Sequence, residues 1–95
     1  ILPKFPSVNR DMAIVVGRRA QWQDILETIY KTSALIKNID PFDVFMGKEI
    51  GEDKKSLAFH LEFRSDDRTL LAEDIDKIMK DILAVLASKF EARLR

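Results

Sequence analysis

Lys55-Ser56-Leu57-Ala58-Phe59-His60-Leu61-Glu62-Phe63-Arg64 decides the fold: from Leu57 onward the odd positions are large and apolar and the even ones small or polar. Period two over that length is the pattern of a strand buried on one face. Just upstream, Phe42-Asp43-Val44-Phe45-Met46-Gly47 closes a second extended run that starts near Leu35 and includes Ile36 and Ile39. Pro41 lies inside that run and has no N–H to donate to a ladder, which places the strand at a sheet edge. Between the two runs, the polar stretch from Gly47 to Lys54, with glycines at Gly47 and Gly51, reads as a hairpin loop.

Outward from the hairpin, Arg10 to Val16 is rich in apolar and β-branched residues (Met12, Ile14, Val15, Val16) and stops at Gly17, which reads as a first strand. Trp22, Ile25, Leu26 and Ile29 then recur at helical spacing and fade near Ser33. Beyond the hairpin, Ile75, Ile78, Met79, Ile82, Leu83, Leu86 and Phe90 trace a second helical stripe. Its acidic residues are concentrated in the first turn, where the helix dipole favours them. Glu91 to Arg95 leaves room for one short edge strand. The order strand, helix, strand, strand, helix, short strand predicts an α+β fold: a ferredoxin-like split βαββαβ sandwich, with a four-stranded antiparallel sheet and both helices on one face.

Such a sheet leaves its other face open, and strand parity says what stands there. With Leu57, Phe59, Leu61 and Phe63 turned toward the helices, Ser56, Ala58, His60, Glu62 and Arg64 face outward. Inward Phe42, Val44 and Met46 leave Asp43 and Phe45 outward; inward Met12, Ile14 and Val16 leave Ala13 and Val15 outward. The open face then carries one aromatic, Phe45, several small residues and a few polar groups, which is what a module needs to stack and edge-read an unpaired base.

Composition narrows the classes. The chain has 95 residues, 46% hydrophobic and 34% charged, enough for one core, so residues 1–95 are expected to form a single domain. It starts at Ile1 rather than methionine, and the expectation is a domain cut from a longer chain. Without cysteine there is no disulfide framework or thiolate metal site. No apolar run approaches the ~20 residues of a membrane span and no signal-peptide layout opens the chain, so a cytoplasmic location is expected. Sixteen basic residues balance sixteen acidic ones, so any nucleic-acid binding must be local rather than driven by a general positive field.

Catalytic constellations are weak. His60, the one histidine, sits mid-strand with no nucleophile at motif spacing, so a spectator role or a minor RNA contact fits better than a general base. Glu73-Asp74-Ile75-Asp76 lacks the glycine and alternating ligands of a calcium loop. No glycine-rich phosphate cradle, zinc pattern or serine–histidine pair is present.

Four ordered motifs carry a family resemblance: Phe5-Pro6-Ser7-Val8-Asn9-Arg10-Asp11-Met12-Ala13, then Phe42 to Gly47, then Lys54 to Phe63, then Asp67-Arg68-Thr69-Leu70. Together, over nearly the whole chain, they resemble the ferredoxin-fold anticodon-binding domain found at the carboxyl end of the bacterial phenylalanyl-tRNA synthetase β subunit. The resemblance implies a non-catalytic module that binds the anticodon of phenylalanine tRNA, with the active site on the α subunit of a heterotetramer. It implies no cofactor in this domain, ATP and magnesium belonging to the parent enzyme, and neither DNA nor a membrane as partner.

The family's contacts fall here on Ala13, Asp43, Phe45 and Ser56, and on an arginine near the end of the chain, Arg93 or, as a close second, Arg95. The first four are those that parity alone turns to the open face. Departures from the family pattern are Phe45, where many relatives carry tyrosine, and Leu71, where a threonine often starts the second helix.

Two other classes share the architecture. An interaction or small-ligand regulatory domain would use the open face to pair with a protein, giving a homodimer and no tRNA binding. An acylphosphatase-like enzyme would use Arg18 and Asn38, but Gly17-Arg18-Arg19 is too poor in glycine for the loop it needs.

Overall fold

A computed structural model describes residues 5–46, 51 and 53–94. Six elements follow in order: β1 (Val8–Gly17), α1 (Trp22–Thr32), β2 (Ile36–Phe45), β3 (Lys54–Phe63), α2 (Ala72–Phe90) and β4 (Arg93–Leu94). The strands form one antiparallel sheet in the order β2-β3-β1-β4, a ferredoxin-like α+β arrangement with β2 on the edge that Pro41 called for and a two-residue β4 on the other. Of the loop anticipated from Gly47 to Lys54, residues 47–50 and 52 lie outside the described residues, as does Arg95.

Both helices cover one face. Ile25 and Ile29 of α1 and Ile75, Ile78, Ile82 and Leu86 of α2 join Met12, Ile14 and Val16 of β1 and Leu57, Phe59, Leu61 and Phe63 of β3 in a single apolar cluster. Phe59 is fully buried at its centre and meets Trp22 with ring centroids 5.6 Å apart and tilted by 55°, the edge-biased approach that aromatic quadrupoles favour. Tyr30 of α1 reaches the exposed edge of the sheet, where its hydroxyl oxygen accepts the Ile39 N–H at 3.1 Å. That contact occupies one donor of an edge strand that would otherwise be open to pairing.

Helix α2 begins without a side-chain cap from Leu71. The Asp74 carboxylate, one turn in, accepts the Leu71 N–H at 3.0 Å and the Arg68 guanidinium at 2.8 Å instead. Those two hydrogen bonds, the one from Arg68 first, hold the Asp74 carboxyl below its ordinary value. At the other end, Glu91 takes the left-handed conformation (φ 55°, ψ 33°). Its N–H bonds to the Ala87 carbonyl and that of Ala92 to Leu86, turning the chain directly into β4.

The expected parity of β2 needs correction. Its register against β3 shifts between Ile36 and Asn38 and again between Pro41 and Asp43, so Lys37 and Phe42 are extra residues opposite a continuous partner strand. A bulge re-aims the side chain it inserts. Phe42, anticipated in the core, is thereby placed on the face away from the helices, 54% exposed and stacked on His60. Val44 keeps the inward parity beside buried Leu57, but the apolar cluster that contains Leu57 ends there and leaves Val44 57% exposed. Met46, also anticipated inward, follows the last residue of β2 and is 55% exposed.

Candidate nucleic-acid interface

The face opposite the helices is organised in rows, because directly paired residues in an antiparallel sheet stand about 5 Å apart on the same side. One row runs Phe45, Ser56, Val15, Arg93 across all four strands. The next, two residues along each strand and hence about 7 Å away, runs Asp43, Ala58, Ala13. A third runs Asp40, His60, Asp11, with Phe42 from the bulge laid over His60.

The five residues singled out in the sequence therefore share one face of the sheet. Ala13, Asp43, Phe45, Ser56 and Arg93 occupy two adjacent rows, drawn from β1, β2, β3 and β4. Asp43 and Arg93 are exposed and Phe45 is 37% exposed, while Ala13 and Ala58 keep the floor between them low. Ser56 is on the expected face yet only 1% exposed, and Val15 beside it is buried as well, so the centre of the first row is filled rather than open. Ser56 and Phe45 each make contacts of their own within the fold. Arg95, the alternative to Arg93, falls outside the described residues.

Charge is placed at the margin. Beyond the Phe45 row, where Gly17 pairs with Lys54, a cleft is lined by Gly17, Arg18, Arg19, Asp53 and Lys54. It sets three cations against one carboxylate at the end of the sheet nearest Phe45. The chain is neutral overall, yet this rim is locally basic, which is the distribution a local nucleic-acid contact needs.

Sequence reasoning missed Phe42, by assigning it to the core. The signal was available next door: proline within a strand marks an edge or a bulge, and Pro41 is the last paired residue before Phe42. The phosphatase alternative loses its geometry. Arg18 follows Gly17, which pairs with Lys54, whereas Asn38 pairs with Glu62, eight residues and about 26 Å further along β3.

No described helix is long and apolar enough to cross a membrane. The family described as ferredoxin-fold anticodon binding domain matches residues 3–95. Among curated relatives, the phenylalanine–tRNA ligase beta subunit of Dehalococcoides mccartyi is 44% identical over 92 residues, covering 97% of this chain and 11% of the relative. That of Syntrophotalea carbinolica is 42% identical over 95 residues and that of Fusobacterium nucleatum 40% over 94, each covering 99% of this chain and 12% of the relative. The chain thus spans about one eighth or less of the length of these relatives. A matching family description over nearly every residue, on a sheet that carries the expected face, makes this chain a member of the ferredoxin-fold anticodon-binding domain family.

Proposed function

We propose that this chain recognises the anticodon of phenylalanine tRNA as a non-catalytic module of a phenylalanine–tRNA ligase beta subunit. The observation that carries the reading is that Ala13, Asp43, Phe45, Ser56 and Arg93 share two adjacent rows of the sheet face opposite the helices. Phe45 offers a ring on which an unpaired base stacks, an interaction of about 1–3 kcal/mol on aromatic platforms. Asp43, in the neighbouring row, accepts hydrogen bonds from a base amino or imino group. An analogue that lacks the donor would leave the carboxylate desolvated and unpaired, which is how such a contact discriminates.

Ala13 and Ala58 keep the floor flat enough for a base to lie down. Ser56, being buried, supports that floor rather than meeting the base edge directly. Arg93 at one side, and the Arg18, Arg19 and Lys54 rim at the end, supply cations for phosphate. A chain with no net charge gains little from general attraction. Its contribution to the parent enzyme is therefore selection and orientation, with much of the affinity coming from other parts of the synthetase.

The same reading assigns aminoacylation, with its ATP, magnesium and phenylalanine, to the rest of a cytoplasmic heterotetramer whose active site is on the α subunit. The isolated chain then has no ligase activity. Titration of the isotope-labelled chain with a phenylalanine-tRNA anticodon stem-loop tests the proposal. Amide shifts should cluster at Ala13, Asp43, Phe45 and Ser56 and weaken when the first anticodon base is altered. Shifts confined to the helical face, or indifferent to that base, would reject it.

A further inference from the structure

The Phe42 ring lies nearly parallel to the His60 imidazole, with centroids 4.1 Å apart and planes 20° from coplanar. His60 is in turn held by Asp11, whose carboxylate Oδ1 meets its Nδ1 across the β1–β3 pair. These groups stand on the sheet face that bears Phe45, three residues away along β2, or about 10 Å. More than half of Phe42 is exposed. A bulge interrupts the ladder and sacrifices regular pairing, and here its effect is to take a large apolar ring out of the core side and lay it flat on a braced imidazole.

We propose that Phe42 is a second stacking platform, which takes a base adjoining the one on Phe45, so that the face holds two bases of the loop rather than one. The inference rests on the anticodon reading above and extends it to a residue that reading does not use. His60 covers one face of the ring, which leaves the other for a ligand, and a third flat ring would continue the stack already begun. The Asp11 contact fixes the imidazole, so the platform is set before the ligand arrives and less side-chain freedom is lost on binding. Between the two rings lies the low row Asp43, Ala58, Ala13, across which a strand of RNA can pass. Four-stranded sheets that read single strands do so by stacking two or three bases on such aromatics. A flat, exposed π surface already stacked on one ring favours a base, whose own flat face continues that stack.

The test uses the 95-residue chain, wild type and with Phe42→Ala, Phe42→Leu, Phe42→Trp and Phe45→Ala, against the phenylalanine-tRNA anticodon stem-loop and versions made abasic at single loop positions. Phe42→Ala and Phe42→Leu are each expected to weaken binding by about 5- to 150-fold, and Phe42→Trp to preserve it. One abasic position should cause no further loss in the Phe42 variants, and it should differ from the position that is silent in Phe45→Ala. A 2-aminopurine at the Phe42-dependent position should be quenched by wild type and not by Phe42→Leu, a readout that a merely structural role would leave alone.

If Phe45→Ala loses affinity while the Phe42 variants bind like wild type, the second platform is refuted and the anticodon reading survives. If neither Phe42 nor Phe45 matters, the anticodon reading itself fails. Full binding by Phe42→Leu would assign Phe42 bulk rather than stacking. Loss of self-association in Phe42→Ala, with RNA binding intact, would assign the ring to a contact between copies of the chain; either result overturns the proposal.

Discussion

Replacing Glu91 by glycine should stabilise the domain, and the size of the effect follows from the turn between α2 and β4. Glu91 is the one described non-glycine residue with positive φ, at φ 55° and ψ 33°. A residue with a Cβ incurs roughly 1–2 kcal/mol in that conformation. Glycine removes this cost but loses about 0.5–1 kcal/mol more backbone freedom on folding than other residues. Glu91 is also a carboxylate at the negative end of the helix dipole, and removing it adds a few tenths of a kcal/mol at an exposed site.

The net gain is about 1 kcal/mol, which in a domain of this size raises the melting midpoint by about 4–8 °C. Thermal unfolding of wild type, Glu91→Gly and Glu91→Val measures it. Glu91→Val, β-branched in a conformation that crowds Cβ, should fall below wild type. RNA affinity should be unchanged in Glu91→Gly, because the turn and the pairing of Arg93 with Val15 are retained. A Glu91→Gly protein that melts at or below the wild-type midpoint would refute the reasoning and mean that the glutamate side chain contributes more than its backbone conformation costs.

Other perturbations follow from the same contacts. Tyr30→Phe removes the acceptor of the Ile39 N–H on the edge strand; it should lower stability by about 0.5–1.5 kcal/mol in urea unfolding and speed hydrogen exchange at the Ile39 amide. Asp74, whose carboxyl is held below its ordinary value by Arg68 and the Leu71 N–H, contributes stability that is present above the usual carboxylate range and lost as pH falls through its depressed folded value. Asp74→Asn should therefore be less stable than wild type at neutral pH, with the gap closing as the solution is acidified; a gap that persists unchanged in acid would contradict that assignment. Four cations, Arg18, Arg19, Lys54 and Arg93, flank the face, so the affinity for the stem-loop should depend only moderately on salt. A logarithmic slope of about −3 or shallower corresponds to at most about four phosphate contacts on a single strand, and a much steeper slope would point to a larger electrostatic footprint.

The fold was legible because its strongest signals are local and periodic. Alternation in β3 and the stripes of α1 and α2 each specify which side is buried, and Phe59, Ile25, Ile29, Ile75, Ile82 and Leu86 are all buried without remainder. The site was legible on β2 only from Asp43 onward. Parity counted through an unbroken strand sets Phe42 opposite in direction to Asp43, and a bulge is a defect in that count rather than a feature of residue type. Val44 shows a different limit: its direction was right, but period says which way a side chain points and not whether a helix covers it. Ser56 and Val15 show the converse, outward-facing residues that are nonetheless buried. Lateral cover is set by neighbours across the sheet, which a single strand's sequence does not report.

Comparing the affinity of wild type and Phe45→Ala for the phenylalanine-tRNA anticodon stem-loop, with melting midpoints measured alongside, tests the central claim most directly. The account predicts a weakening of about 5- to 150-fold with little change in the fold. Equal affinity in two equally folded proteins would contradict it and move recognition away from the open sheet face.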